Sequence, residues 1–196
     1  LLLGKVARVG YFRPIIDDLP PGKVDNHINT VIQHFNLDLK PEEAYAFHRS
    51  EVIRQLNNDN KDAVIRDIIE KYKALEERFD FILVEGTSFS AAGSINEFDI
   101  NVLIAKNLGV PVIIISRGQD KTVPQIADHI HMAYDSFQDK SVPILAAIVN
   151  KVAAEAQTPV IEALKEQLPE KVMVSAIPLN PVLANPSLKE IVNKLD

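Results

Sequence analysis

The residue whose position most suggests chemistry is Glu85, which follows the apolar run Phe81–Val84 with no polar spacer. A run that is apolar on both faces is typical of a strand buried from both sides in a parallel sheet. Glu85 would then lie at the carboxyl end of that strand, where α/β sheets place their ligand crevices. In P-loop nucleotide enzymes a carboxylate at this point holds Mg²⁺ directly or through water. The alternative is that Glu85 ends the strand and faces solvent, and the stretch 79–86 alone does not decide between the two.

Two other predicted strands end in polar residues that could complete a ligand site. Arg13 closes the first strand, and Asn150 and Lys151 follow the strand over residues 142–149. In a parallel sheet these ends share one edge with Glu85. An asparagine amide can read the edge of a purine base, and a cation can pair with a carboxylate or a phosphate. The alternative is structural, because strands commonly end in polar residues.

The sequence lacks the glycine-rich loops that bind phosphate. Its seven glycines form neither G-x-x-x-x-G-K-[ST] nor G-x-G-x-x-G. The pair Gly22-Lys23 is only superficially similar, because Asp17 stands in place of the first glycine and Val24 in place of the magnesium-binding hydroxyl. The sequence as given therefore contains no phosphate cradle, and no G-x-S-x-G elbow of a serine hydrolase is present either.

The five histidines do not form a metal site by their spacing. His129 and His131 would face different sides of a helix, whereas His27 and His34 share a face but lie roughly 10 Å apart. His48 is isolated in the sequence. We predict that all five are surface or packing residues.

Composition limits the class of protein. The chain has 196 residues, 46% of them hydrophobic, which is enough for one core. The net charge of −6 is spread along the chain, which disfavours a nucleic-acid partner. Cysteine is absent, no apolar run reaches the roughly 18 to 20 residues of a membrane helix, and no signal peptide is recognisable. We expect a cytoplasmic globular protein with no membrane partner.

The elements that would position these residues alternate along the chain. Apolar runs predict five strands, over residues 6–16, 81–84, 110–116, 142–149 and 172–177, the last ending at Pro178. Between and after them, 3.6-residue periodicity predicts helices, with capping boxes at Ser94–Glu97 and Thr122–Gln125 and with caps at Asp25, Thr158-Pro159 and Asn185-Pro186. This alternation predicts an α/β fold, a doubly wound and mainly parallel sheet with helices on both faces, in a single domain over residues 1–196. The first residues, 1–5, are typical of the last turn of a helix, so we expect the chain to begin inside an element.

Five motifs in this order resemble a known family. They are YFRPI at 11–15, FILVEG at 81–86, IVNKV at 148–152, AIP at 176–178 and the helix of 186–192. Together they resemble the dethiobiotin synthetase-like branch of the P-loop NTPase fold. Within it, they are similar to the amino-terminal domain of long-form bacterial phosphate acetyltransferases. The resemblance covers essentially the whole chain. It implies a strand and a P-loop upstream, which this sequence lacks.

The resemblance implies a regulatory and oligomer-supporting domain, uncertain as an enzyme by itself. A separate carboxyl-terminal domain would interconvert acetyl-CoA plus phosphate with acetyl phosphate plus CoA, and would be its partner in a homo-oligomer. No cofactor is certain, although the intact protein could bind ATP-Mg²⁺ or another nucleotide effector, with Glu85 as metal ligand only if the P-loop is present. The nucleotide or effector pocket candidates are Arg13, Glu85, Gly86, Asn150, Lys151 and Pro178.

Two other classes remain open from the sequence. The main alternative is a stand-alone ATP-dependent ligase of the dethiobiotin or cobyrinic acid a,c-diamide synthase type. The ATP-using synthetases carry lysine where this chain has Arg13, which disfavours their chemistry. A partitioning ATPase of the same fold is disfavoured as well, because the predicted last helix is short and not basic.

Overall fold

A computed structural model describes residues 3–5, 7–87 and 95–181. The chain divides into two compact units, Leu1–Gly109 and Val110–Asp196, which are described separately. Ser94, the first residue of the predicted capping box at Ser94–Glu97, lies outside the described residues, as does the predicted final helix beginning at Asn185-Pro186.

The first unit contains four short strands and four helices among its described residues. The strands are β1 (Val9–Phe12), β2 (Ile15–Ile16), β3 (Phe47–His48) and β4 (Phe81–Val84). The helices are α1 (Asn26–Phe35), α2 (Arg49–Asn57), α3 (Lys61–Glu76) and α4 (Ile95–Leu108). Short 3-10 turns span Leu3–Lys5 and Pro41–Glu43. Strand β1 pairs with β4 and β2 pairs with β3, and both pairs are parallel.

The predicted first strand, over residues 6–16, proves to be two strands with different partners. The interruption falls at Arg13 and Pro14, because proline has no N–H to donate to a ladder. The Arg13 N–H donates to the Ala44 carbonyl, and the Pro14 carbonyl accepts from the N–H groups of Ala46 and Phe47. The backbone thus leaves β4 at this point and continues alongside the segment that enters β3.

The prediction that β4 is buried on both faces is wrong. Phe81 and Leu83 are exposed, and Ile82 and Val84 are only partly buried. Among the described residues β4 pairs along one edge only, with β1. The first unit instead buries a core on the other elements, which includes Phe12, Ile15, Ile16, Ile28, Val64 and Ile68.

The second unit is a three-stranded parallel sheet with two helices, among its described residues. Its elements are β5 (Val112–Arg117), α5 (Val123–Gln138), β6 (Ile144–Val152), α6 (Gln157–Gln167) and β7 (Met173–Pro178), with a 3-10 turn at Ala154–Ala156. The strand order is β5-β6-β7. Helix α5 packs on β5 and β6, and α6 packs on β7.

Local signals in the second unit placed one helix start correctly and misplaced another. The Thr122 side chain accepts from the Gln125 N–H and the Gln125 side chain accepts from the Thr122 N–H, which confirms the predicted capping box. The predicted cap at Thr158-Pro159 is wrong, because α6 already begins at Gln157, directly after a 3-10 turn. Proline tolerates the first turn of a helix, where its missing N–H has no intrahelical acceptor.

These elements confirm the α/β class, and every strand pairing in the described residues is parallel. None of the helices described is long and apolar enough to cross a membrane.

Candidate functional site

Glu85 lies directly after β4, beside the end of β1. Its backbone N–H donates to the Phe12 carbonyl at 2.8 Å, so the chain stays paired with β1 up to this residue. Its side chain is 35% exposed, and both carboxylate oxygens have partners. The Tyr11 hydroxyl donates to Oε2, and His27 Nδ1 lies 2.9 Å from Oε1. The buried Tyr11 therefore contacts one oxygen of the carboxylate, and the exposed His27 contacts the other.

Arg13 is buried beside Glu85 and is held by another carboxylate. Its Nη1 donates to Asp25 Oδ2 at 2.7 Å, and both side chains are almost fully buried. Its Nε lies 3.7 Å from Glu85 Oε1, which is too long for a hydrogen bond, and that buried Nε has no hydrogen-bond partner. Asp25 also caps α1, because its Oδ1 accepts from the Ile28 N–H at 3.0 Å. Arg13 thus links the end of β1 to the start of α1.

The electrostatics of this cluster favour the protonated form of Tyr11. Burial raises the pKa of Tyr11 well above its usual value, and the hydrogen bond to Glu85 raises that pKa further. Tyr11 is therefore a permanent donor to Glu85 at any ordinary pH. The carboxylates of Asp25 and Glu85 thus both lie beside the single guanidinium of Arg13, and the exposed His27 contacts Glu85 from the outer side.

Gly86 and Thr87 follow β4, and the side chain of Asn101 on α4 is hydrogen-bonded to the backbone of Thr87. The Thr87 N–H donates to Asn101 Oδ1 at 3.1 Å, and Asn101 Nδ2 donates to the Thr87 carbonyl at 2.9 Å. The Thr87 hydroxyl donates to the Ile15 carbonyl at 2.8 Å. A Cβ on Gly86 would lie 3.1 Å from Asn101 Oδ1, so glycine allows this close approach.

The structure brings together Arg13, Glu85 and Gly86, and it adds four residues that the sequence did not single out for the site. Asp25 was predicted only as a helix cap and His27 only as a surface or packing residue; His27 is exposed, as predicted, and it also contacts Glu85. Tyr11 and Asn101 were not predicted. Tyr11 could have been found from strand alternation, which places residues 11 and 13 on one face of an extended chain, but no local signal indicates Asn101.

Asn150, Lys151 and Pro178 belong to the second unit. The prediction that β6 ends before Asn150 is wrong, because the strand continues to Val152 with a register shift after Val149. At this bulge Lys151 adopts a left-handed conformation, with φ 61°, and the Asn150 side chain accepts from the Lys151 N–H at 2.8 Å. Pro178 is the last residue of β7 and pairs with Val152. Their role in a pocket stays a prediction.

The site leaves the carboxylate of Glu85 partly exposed. Among the residues that the structure describes, no group of three or more His, Cys, Asp or Glu side chains could hold a metal. Mg²⁺ bound to nucleotide phosphates needs only one or two protein carboxylates. The role of Glu85 as one of them stays a prediction, made on the condition that a P-loop is present.

We expect Glu85→Gln to change the free energy of unfolding by less than about 1 kcal/mol, because the glutamine carbonyl can still accept from Tyr11. Glu85→Leu should cost about 1 to 3 kcal/mol, because it leaves the buried Tyr11 hydroxyl without an acceptor. Chemical denaturation of both variants measures the difference. Equal losses for Gln and Leu would contradict the hydrogen bond as the source of the effect.

Comparison with known proteins gives one family and several relatives. Residues 1–187 match a family described as an AAA domain. The chain is similar to a phosphate acetyltransferase of Nitratidesulfovibrio vulgaris, with 31% identity over 195 residues, and to one of a Synechocystis species, with 32% identity over 197 residues. A phosphate acetyltransferase of Pseudomonas aeruginosa is 28% identical over 159 residues.

These relatives are much longer than the aligned region. The first two alignments cover 97% and 100% of this chain but 28% of each relative, and the third covers 76% of this chain and 21% of the relative. The resemblance inferred from the sequence motifs is confirmed, because the matching relatives carry the name that the resemblance implied.

Proposed function

The chain belongs to the AAA domain family, and from that premise we propose that it is the amino-terminal regulatory domain of a cytoplasmic phosphate acetyltransferase. In this proposal a separate carboxyl-terminal domain converts acetyl-CoA and phosphate to acetyl phosphate and CoA. The observation that carries the proposal is the whole-chain similarity to two phosphate acetyltransferases of which the chain spans only 28%. The domain described here would support assembly of the homo-oligomer and respond to an effector.

The geometry around Arg13 supports regulation over chemistry. An acyl transfer between CoA and phosphate needs an anion site and groups that stabilise a developing oxyanion. The buried guanidinium of Arg13 is already paired with Asp25 at 2.7 Å, so it is not free to bind a substrate anion. The same pairing argues against the alternative of an ATP-dependent ligase, in which the cation at this position would have to face the substrate.

The proposed effector is a nucleotide that carries Mg²⁺. It would meet the carboxylate of Glu85, which is partly exposed and lies at the carboxyl end of a parallel strand, where α/β folds bind ligands. His27 Nδ1 occupies Oε1 of this carboxylate, but the His27 side chain is 60% exposed and can turn into solvent. A ligand cation can therefore reach Oε1 without disturbing the buried contact with Tyr11.

The proposal predicts how catalysis and control separate between the domains. We expect the isolated 196-residue chain to form no acetyl phosphate. We expect the full-length protein without this domain to keep its turnover and to lose part of its assembly or of its response to nucleotides. Acetyl phosphate formation measures turnover and light scattering measures assembly. Both are recorded for the isolated chain, the truncated protein and the intact full-length protein, with and without Mg²⁺-nucleotide.

Glu85→Gln in the full-length protein is compared with removal of the whole domain. We expect this single substitution to reduce the nucleotide response and to leave assembly unchanged. Turnover by the isolated chain would contradict the proposal. So would a truncated protein that equals the intact one in assembly and in nucleotide response.

A further inference from the structure

We propose that Asn101 is the positioning residue of the Glu85 site. Among the described contacts it does not touch the Glu85 carboxylate. It fixes the backbone of Gly86 and Thr87, and through it the direction in which Glu85 presents its carboxylate to Tyr11. The inference rests on the proposed function in one respect, the binding of an effector by Glu85. The positioning of Glu85 by Asn101 can be measured without a nucleotide.

The contact between Asn101 and Thr87 imitates one step of a β-ladder. A side-chain amide carries one donor and one acceptor, as a peptide group does. Asn101 uses both on one residue, since it accepts from the Thr87 N–H and donates to the Thr87 carbonyl. Strand β4 ends at Val84, so this side chain continues the pairing of the chain where the strand no longer does.

Besides the contacts of the Glu85 side chain with Tyr11 and His27, the segment that carries Glu85 is held at three further points. The Glu85 N–H is fixed to the Phe12 carbonyl, the Thr87 hydroxyl to the Ile15 carbonyl, and the Thr87 peptide groups to Asn101. The Asn101 amide reaches the backbone of this segment from α4, and it lies against Gly86 closely enough that a Cβ there would be 3.1 Å from Oδ1. Movement of the Asn101 amide therefore moves the residue next to Glu85.

Tyrosine fluorescence can measure the result, because a carboxylate that accepts from a tyrosine hydroxyl quenches its emission. The chain has four tyrosines and no tryptophan, so this emission is observable in the 196-residue chain. Glu85→Leu sets the full unquenched signal, and Tyr11→Phe identifies the part that belongs to Tyr11. Asn107→Leu is the matched control, since Asn107 is an exposed asparagine of the same helix that bonds only within α4 among the described contacts.

We expect Asn101→Leu to raise the emission to that of Glu85→Leu, Asn101→Asp to raise it partly, and Asn107→Leu to leave it unchanged. In the Tyr11→Phe background the rise should disappear. Gly86→Ala should also raise the emission in the parent chain, because its Cβ displaces the amide, but should add nothing once Asn101→Ala has removed that amide. Circular dichroism verifies folding, and if Asn101→Leu does not fold, Asn101→Asp and Gly86→Ala carry the test.

Emission unchanged in a folded Asn101→Leu variant would overturn the inference, as would an equal rise in Asn107→Leu. A Mg²⁺-ATP titration of the full-length protein tests the proposed function separately. If the full-length protein binds no nucleotide but the expected fluorescence changes are found, the proposed nucleotide effector is contradicted and the positioning role of Asn101 is supported.

Discussion

Asp25→Asn is expected to lower the free energy of unfolding by about 3 kcal/mol, because it removes the carboxylate that is hydrogen-bonded to the buried guanidinium of Arg13 and leaves it with the more distant Glu85, 3.7 Å from Nε. Both side chains of the pair are nearly inaccessible, at 4% and 6% exposure. Asparagine keeps an oxygen that can accept from the Ile28 N–H, so this substitution removes the charge and preserves the helix cap. Asp25→Ala removes both and should cost about 1 kcal/mol more.

Urea denaturation measures these losses, and Asp67→Asn is the matched control. Asp67 carries the same chemical change at a half-exposed site, 3.8 Å from Arg66, and should alter stability by less than about 0.5 kcal/mol. The double variant Arg13→Met with Asp25→Asn should recover much of the loss, since it also removes the buried guanidinium that Asp25→Asn leaves behind. If Asp25→Asn is no more damaging than Asp67→Asn, Arg13 is not an uncompensated buried charge and the description of the pair is wrong.

Phe12→Ala should lower the free energy of unfolding by about 3 to 5 kcal/mol, because it removes a large side chain from the core. Phe12 is fully buried on β1, and its ring lies 6.2 Å from the ring of Tyr72 on α3. The cavity would open directly beneath the strand end that carries Tyr11 and Arg13. The loss should therefore appear both in stability and in the tyrosine emission of the site.

Phe35→Ala supplies the comparison for that experiment. Phe35 ends α1 and is 45% exposed, so its removal should cost less than about 1 kcal/mol. Thermal unfolding of both variants, followed by circular dichroism, gives the two losses. Similar losses at the two positions would mean that β1 is not anchored through Phe12.

The sequence predicted the parts of the fold that depend on local patterns. The 3.6-residue period of α3 and the reciprocal cap of α5 at Thr122 are each encoded within a few residues, and both are found. Gly109 ends α4 in a left-handed conformation, as a glycine after a helix commonly does. Such signals need no knowledge of distant partners.

The misjudged features depend on partners far along the chain. The break between β1 and β2 reflects a change of pairing partner at Arg13, and the exposure of Phe81 reflects how little else pairs with β4. At the site, Tyr11 meets Glu85 across 74 residues and His27 meets it across 58. Periodicity and capping rules carry no information about such contacts, so strand ends could suggest the location of the site but not the pairing of its charges.

The change of partner at Arg13 also has a consequence for the order in which the first unit assembles. Ile15 pairs with Phe47, 32 residues later, whereas Val9 pairs with Phe81, 72 residues later. Closing the longer loop costs about 0.7 kcal/mol more in chain entropy, so β2 and β3 can meet before β1 has found β4. Pulse-labelled hydrogen exchange would then show the amides of residue 47 protected before those of residue 81, and the reverse order would contradict it. Arg13 and Asp25 are only 12 residues apart, so by the same argument their contact can close earlier still, and the carboxylate of Glu85 arrives beside a pair that has already formed.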